Sequence, residues 1–153
     1  MPDLLTHWAA AQVPATTLRD RRLQALLVLG TFLPDIGAKG LHHVARAPTY
    51  FEDPTHSLAG LLLLCYGACL FLEPGLRKGG FAALYAGAAI HLVLDLAKDN
   101  PGDGGMRLLL PFSGVEFELG LVASENVIYL LPFDALVLLA CFLVDRRRRA
   151  LRG

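Results

Sequence analysis

Three stretches of this chain carry almost no charge, and they constrain its fold more than any other feature. Ser57 to Leu72 has no charged residue. Gly79 to Leu94 has none apart from one histidine, and Val127 to Val144 contains a single acid, Asp134. A helix needs about 17–25 apolar residues to cross a hydrocarbon core about 30 Å thick, and each stretch lies at the lower edge of that range. A soluble protein can bury a helix that is apolar all round. Three of them in 153 residues would leave too little chain to cover them. The composition agrees: 54% of residues are hydrophobic and 18% charged, where soluble domains average about 45–50% and 25%. The expectation is an all-α, polytopic membrane bundle in which residues 1–153 form a single helical membrane domain.

Two shorter helices precede these stretches. Leu4 to Val13 ends at Pro14. Leu23 to Leu33 is expected to stop at the Leu33-Pro34 junction, because a residue before proline is pushed out of helical conformation. The predicted total is about five helices, three good spans plus two short N-terminal ones. No alternation typical of strands persists, and no repeat or low-complexity linker is visible. Two polar connections remain, Pro34 to Thr55 and Lys98 to Asn126, and both are long enough to suggest a role beyond linking. The second contains Asp-Asn-Pro-Gly-Asp-Gly-Gly, a strong turn signal. Cys65, Cys69 and Cys141 lie inside apolar runs without a Cys-x-x-Cys pair, so they read as buried small hydrophobes. The first residues lack the basic start of a secretory signal, and no cleaved leader is expected.

The formal net charge is zero, with 14 basic and 14 acidic residues. The zero is a sum over two sorted populations. Arg19, Arg21 and Arg22 precede the second helix, Arg77 and Lys78 lie between the third and fourth, and Arg146 to Arg149 with Arg152 follow the fifth. If the helices alternate in direction, these ten share one face. Lys39, Arg46, Lys98 and Arg107 are left for the other. The positive-inside rule places the basic face in the cytoplasm. Residues 145–153 then form a basic cytoplasmic tail that anchors topology, and no nucleic-acid partner is expected. The opposite face collects Asp35, Glu52, Asp53, Asp95, Asp99, Asp103, Glu116, Glu118 and Glu125, together with His42, His43, His56 and His91. His7 joins them if the first helix runs inward.

His91-Leu-Val-Leu-Asp95 sets an imidazole and a carboxylate four residues apart on one helical face. Ionisable groups inside a span cost about 2.5–3.5 kcal/mol on insertion scales, and those retained are usually paired or functional. Asp35 follows Leu33-Pro34, His56 sits in Pro54-Thr55-His56-Ser57 before the third helix, and His7 lies on the first. Singly, these residues have ordinary readings: a rim ion pair, a turn acid, a residue preceding a helix cap, a structural histidine. Jointly they place three histidines and two aspartates on one face at helix ends. That nitrogen and oxygen set suits Zn²⁺ or a similar ion, and it could serve two ions if one carboxylate bridges.

With these residues in hand, the sequence resembles the YdjM-like family of membrane-bound metal-dependent hydrolases. The resemblance runs through Thr6-His7, Leu33-Pro34-Asp35-Ile36, Thr55-His56-Ser57-Leu58 and His91-Leu-Val-Leu-Asp95-Leu96. It ends at Leu109-Leu110-Pro111-Phe112-Ser113, which is similar to the family's Trp-Pro-Phe-Ser element. The His-x-x-x-Asp element is more distantly similar to that of zinc-dependent phospholipase C and P1-type nucleases. The resemblance implies metal ligation by His7, Asp35, His56, His91 and Asp95, with Asp35 and Asp95 also catalytic, and a bacterial inner-membrane location. The sequence departs from the family pattern at Gly37, where a second acid is common. It departs again at Glu52, Asp53 and Pro54, which replace basic residues, and at Leu110, which replaces a tryptophan. His42, His43 and Asp103 stand as alternative ligands.

The favoured expectation is a membrane metallohydrolase at the outer face, using a divalent metal such as zinc. A metal-activated water would attack an ester, and a phosphodiester or lipid-linked substrate suits the setting. The alternative is a non-catalytic membrane protein whose metal or His/Asp cluster is structural or binds a partner or regulator. A third reading, a transporter component, rests on Asp134 beside Pro132, where a kinked span could line an ion path.

Overall fold

The computed structural model describes residues 3–44, 52–99 and 105–150. Its helices are α1 (Asp3–Ala15), α2 (Arg21–Val44), the single turn α3 (Glu52–Thr55), α4 (Leu58–Leu70), α5 (Pro74–Ala97) and α6 (Leu131–Ala150). A 3-10 helix (Ser124–Leu130) leads into α6, and the short strands β1 (Lys98–Asp99) and β2 (Val122–Ala123) pair in parallel, Lys98 against Val122. The described residues are therefore mostly helical, with five helices longer than one α-turn.

The expected break at Leu33-Pro34 does not occur. Helix α2 runs through Pro34 for ten further residues, so Asp35, Gly37 and Lys39 are helical rather than part of a loop. Proline inside a helix costs about 3 kcal/mol, because it deletes one hydrogen bond and its ring crowds the carbonyl four residues back. Here that carbonyl belongs to Gly30, one of the two glycines at which α2 and α5, the most extensive helix–helix contact, meet backbone to backbone. Tertiary packing along the whole of α2 outweighs one local bond. Helix α1 likewise continues past Pro14 to Ala15.

The count of three good spans is also corrected. Among the described residues, two segments are long and apolar enough to cross a membrane, Pro74–Ala97 and Glu125–Arg148, each 24 residues. Helix α4 has 13 residues, or about 20 Å at 1.5 Å per residue, which is short of a ~30 Å core. Its ends are fixed locally. Ser57 caps the start by accepting from the Gly60 amide at 3.0 Å, and Pro74 opens the next helix four residues after Leu70. Pro132 lies in the first turn of α6, where a missing N–H is harmless, so it starts the helix and does not kink it.

Two glycines let α2 and α5 touch backbone to backbone. A Cβ added to Gly30 would lie 2.1 Å from the Leu84 carbonyl oxygen, and one on Gly87 would lie 1.9 Å from that of Leu27. Beside this seam the core is built from Leu61, Cys65, Cys69, Leu84, Ala88 and Leu92, with Met106 and Leu108 from the following loop against it. The three cysteines are free and buried, as their apolar setting led us to expect.

The basic clusters meet at one end of the bundle. Arg148 donates to the Thr16 carbonyl, Arg22 pairs with Glu73 at 3.6 Å, and Arg77 donates to the carbonyls of Leu70 and Leu72. The His/Asp residues lie at the other end. There, residues 105–121 fold back on α5 through Leu119 N–H to Leu96 O and Leu121 N–H to Ala97 O, and Leu58 N–H reaches Leu108 O. Phe133, Leu136, Leu139, Phe142 and Leu143 on α6 are each more than half exposed. An outward apolar stripe of this kind is what a helix surrounded by hydrocarbon presents.

Candidate metal centre

Three local arrangements aim the functional side chains. The first is the glycine seam. Helices α2 and α5 leave it in the same direction, so Asp35, five residues past Gly30, arrives beside His91, four residues past Gly87. The second is the α3–α4 turn. Ser57 Oγ donates to the Pro54 carbonyl at 2.9 Å, and Gly60 lets that carbonyl sit where a Cβ would be 1.6 Å away. His56 is held in this turn. The third is α1, fastened to α6 by Thr6 Oγ1 donating to Asp134 Oδ2 at 2.6 Å, one residue before His7. Asp134 is 3% exposed. This hydrogen bond makes it an inter-helix fastener between α1 and α6.

All five residues singled out in the sequence come together. His91 Nε2 lies 3.0 Å from Asp95 Oδ2 and 3.3 Å from His56 Nε2. His7 Nε2 is 3.3 Å from Asp95 Oδ1, and Asp35 Oδ1 is 3.7 Å from His56 Nε2 and 3.9 Å from His91 Nε2. The His7 and His91 rings lie 4.3 Å apart, centroid to centroid. Two groups could each hold an ion, His7–His91–Asp95 and Asp35–His56–His91, and within each group the ligand atoms are at most 4.8 Å apart. Ligand atoms about 2.0–2.2 Å from one tetrahedral ion sit roughly 3.3–3.6 Å from each other, so the spacing fits a metal with small adjustments.

The donor chemistry fits as well. All three imidazoles turn Nε2 inward. Thr55 Oγ1 lies 3.1 Å from His56 Nδ1. A proton on Nδ1 directed at that hydroxyl leaves the Nε2 lone pair facing the cluster, the outer support that metal-binding histidines usually have. His91 is buried, and its Nδ1 has no hydrogen-bond partner among the described residues. Its ring is therefore held through the inward nitrogen.

Sequence reasoning missed three members of the site. Lys98 Nζ is 2.8 Å from Asp95 Oδ1, and Lys39 Nζ is 3.1 Å from Asp35 Oδ2. Thr55 is the third. The lysine pairs were legible as i,i+3 and i,i+4 spacings, but the Asp35 pair needed the helix that Pro34 seemed to end. Outside the spans, the Glu118 carboxylate beside Asp99 raises the Asp99 pKa above its ordinary value. Of the alternative ligands, His43 is exposed near the end of α2 and belongs to neither group. Asp103, Arg46 and residues 151–153 of the tail lie outside the described residues, as does the His42 side chain. At Gly37 an added Cβ would lie 3.2 Å from Leu64 Cδ2 and 3.4 Å from Thr55 Cγ2, so the position borders the turn that holds His56.

A family model covers residues 3–152, that of the YdjM inner membrane protein. The chain belongs to the YdjM inner membrane protein family. No curated protein and no solved structure gives a significant match. The similarity of His-x-x-x-Asp to phospholipase C and P1-type nucleases is therefore without support. The family and the two apolar helices make this an inner-membrane protein, in contact with the bilayer.

Proposed function

We propose that this family member is a multi-pass, metal-dependent hydrolase, with its site at the non-cytoplasmic face and its C-terminus in the cytoplasm. The convergence of His7, Asp35, His56, His91 and Asp95 at one end of the bundle carries this reading. The collection of basic residues at the other end supports the orientation. Residues 1–153 act as one membrane domain, with the basic tail at 145–153.

A divalent ion, zinc by the ligand set, would supply Lewis acidity and a nucleophile at neutral pH. His7, His91 and Asp95 form the more buried group that would hold it, with His56 and Asp35 completing the set. The Asp35 side chain is 29% exposed and that of Asp95 15%, so Asp35 is the carboxylate that a substrate can reach. It is placed to accept the proton of an attacking water and return it to the leaving oxygen of an ester. Lys39 and Lys98 would orient an anionic substrate, which favours a phosphodiester. A second reading rests on the same lysines. With Asp35 and Asp95 each paired to an ammonium group, the cluster is charge-balanced without metal and could be structural or a docking point.

Metal analysis of purified protein separates the two. Stoichiometric divalent metal is expected in the wild type, with loss in His91→Ala and Asp95→Ala, and hydrolysis of a generic phosphodiester should disappear with it. A folded wild-type protein that takes up no metal would end the hydrolase reading. Metal without turnover across a panel of phosphodiesters and lipids would favour the structural one.

A further inference from the structure

Helix α2 and the start of α1 also wall a groove beside the metal centre. Phe32, Ile36, Gly40 and His43 follow one another at helical spacing along it, and Leu4 faces them. The open space is about 590 Å³. Its apolar walls are open to the surroundings, with Ile36 55% and Leu4 38% exposed. A Cβ on Gly40, which lines the groove, would meet no atom of the described residues within 4 Å, so a side chain added there would enter the groove. Phe32 and His43 are about 16 Å apart along the helix at 1.5 Å per residue. Asp35 and Lys39 form the polar rim, and Asp35 also belongs to the Asp35–His56–His91 group. The groove and the candidate centre thus share a wall.

We propose that this groove seats the hydrocarbon chain of an amphiphilic substrate whose anionic, phosphate-type headgroup lies at Asp35, Lys39 and the metal centre. The headgroup's position rests on the metallohydrolase reading. Two features identify the occupant. The groove is apolar and open along Ile36 and Leu4, as an inserted hydrocarbon chain requires, and a water-soluble phosphodiester would leave it empty. Its polar rim is also matched to an anion. Lys39 and Lys98 already offset Asp35 and Asp95, so the charge of a bound divalent ion is left for the ligand to neutralise. A compact ammonium such as Lys39 suits phosphate as a point charge.

The test uses full-length, zinc-treated protein in nanodiscs and hexadecyl phosphate carrying a diazirine near the end of its chain, with labelled peptides mapped by mass spectrometry. Label is expected on Leu4 and on residues 32–40. It should be competed by unlabelled hexadecyl phosphate and not by inorganic phosphate. Gly40→Trp should reduce it by roughly tenfold or more, as exclusion of two or so buried methylenes implies. Ile36→Ser, at an exposed position, gives the same readout if the tryptophan lowers helicity. Label spread evenly along α6, or unchanged in both variants, would overturn the proposal. Equal labelling by an uncharged hexadecanol probe would reduce the groove to a bilayer-facing crevice. Displacement by inorganic phosphate would leave a headgroup site without a chain site; both of these results also overturn it. Zinc content on the same samples separates the two readings. Normal zinc without groove label refutes the groove alone. Groove label without zinc refutes the metallohydrolase and leaves the chain site, with Lys39 as the headgroup contact.

Discussion

Replacing Gly87 with alanine tests whether the α2–α5 seam sets the geometry of the site. The added Cβ would lie 1.9 Å from Leu27 O, 2.9 Å from Thr31 N and 3.0 Å from Leu27 C. All three are backbone atoms, so no side chain can swing aside. A carbon and a carbonyl oxygen approach to about 3.3 Å, so the helices must part by roughly 1.4 Å. Asp35 rides on α2 and His91 on α5, and their 3.9 Å separation would open towards about 5 Å. Metal sites tolerate errors of only about 0.2 Å in ligand distance, so a drop in affinity of tenfold or more is expected. Stability should fall by about 1–3 kcal/mol, the usual range for overpacking. Two other glycines grade the experiment. Gly67 has nothing within 4 Å of a built Cβ, and at Gly79 the nearest atom is the flexible Leu23 Cδ2 at 3.3 Å. Alanine at either should gain helix propensity, worth up to about 1 kcal/mol. Thermal unfolding in detergent and zinc per chain after equilibrium dialysis read both effects. The expected order is Gly67→Ala at or above wild type, Gly79→Ala close to it, and Gly87→Ala below in both assays. If Gly87→Ala holds zinc as tightly as Gly79→Ala and melts no lower, the seam does not position the site.

Three further outcomes are expected. Thr55→Val removes the hydroxyl beside His56 Nδ1 and should weaken zinc binding about 10–100-fold at unchanged helicity, with Thr55→Ser restoring it; equal affinity in all three forms would remove Thr55 from the site. Asp134→Leu should lower the melting temperature by the loss of one inter-helix hydrogen bond, about 0.5–2 kcal/mol, while Asp134→Asn keeps most of it; identical melting of wild type and the leucine variant would deny the fastener role. The raised pKa of Asp99 has a definite sign. A carboxyl raised in the folded state contributes stability that is fully present below its unfolded pKa and lost as pH rises through the folded value. The protection factors of the amides in residues 105–121, which remove the intrinsic base-catalysed rise of exchange with pH, should therefore fall as pH rises past the ordinary carboxylate pKa, and Asp99→Asn should flatten that dependence. A wild-type profile as flat as the variant's would contradict the Asp99–Glu118 pairing.

The sequence was most informative where physics acts through composition. Uncharged stretches announce apolar helices, and Gly79 to Leu94 and Val127 to Val144 lie within the two segments long and apolar enough to cross a membrane. It was least informative at helix ends. Pro34 is a correct local signal, overruled because Gly30 lets α2 lie against α5, and a single-residue rule cannot see a partner helix. Ser57 to Leu72 was equally apolar, yet the Ser57 cap and the turn before Pro74 shorten it below a span. Hydropathy counts residues, whereas a span is set by where capping groups interrupt the helix.

The candidate site was legible for a different reason. Burying a histidine or an aspartate in an apolar helix is unfavourable unless something compensates it, so each such residue signals an unseen partner. His91 and Asp95 could be paired from their spacing alone. His7, Asp35 and His56 could not, because their proximity depends on two long-range contacts, the glycine seam and the Thr6–Asp134 hydrogen bond, and on the turn locked by Ser57 and Gly60. None is a ligand interaction, and each reads alone as a routine structural feature. The lysines had the helical spacing to pair with Asp35 and Asp95, but Pro34 masked the helix that carries the first pair, and spacing alone did not mark either lysine as part of the site. Their placement turns a list of metal-ligand residue types into a site whose carboxylates are already charge-matched. A divalent ion entering it therefore brings charge that an incoming anion, rather than the protein, must balance.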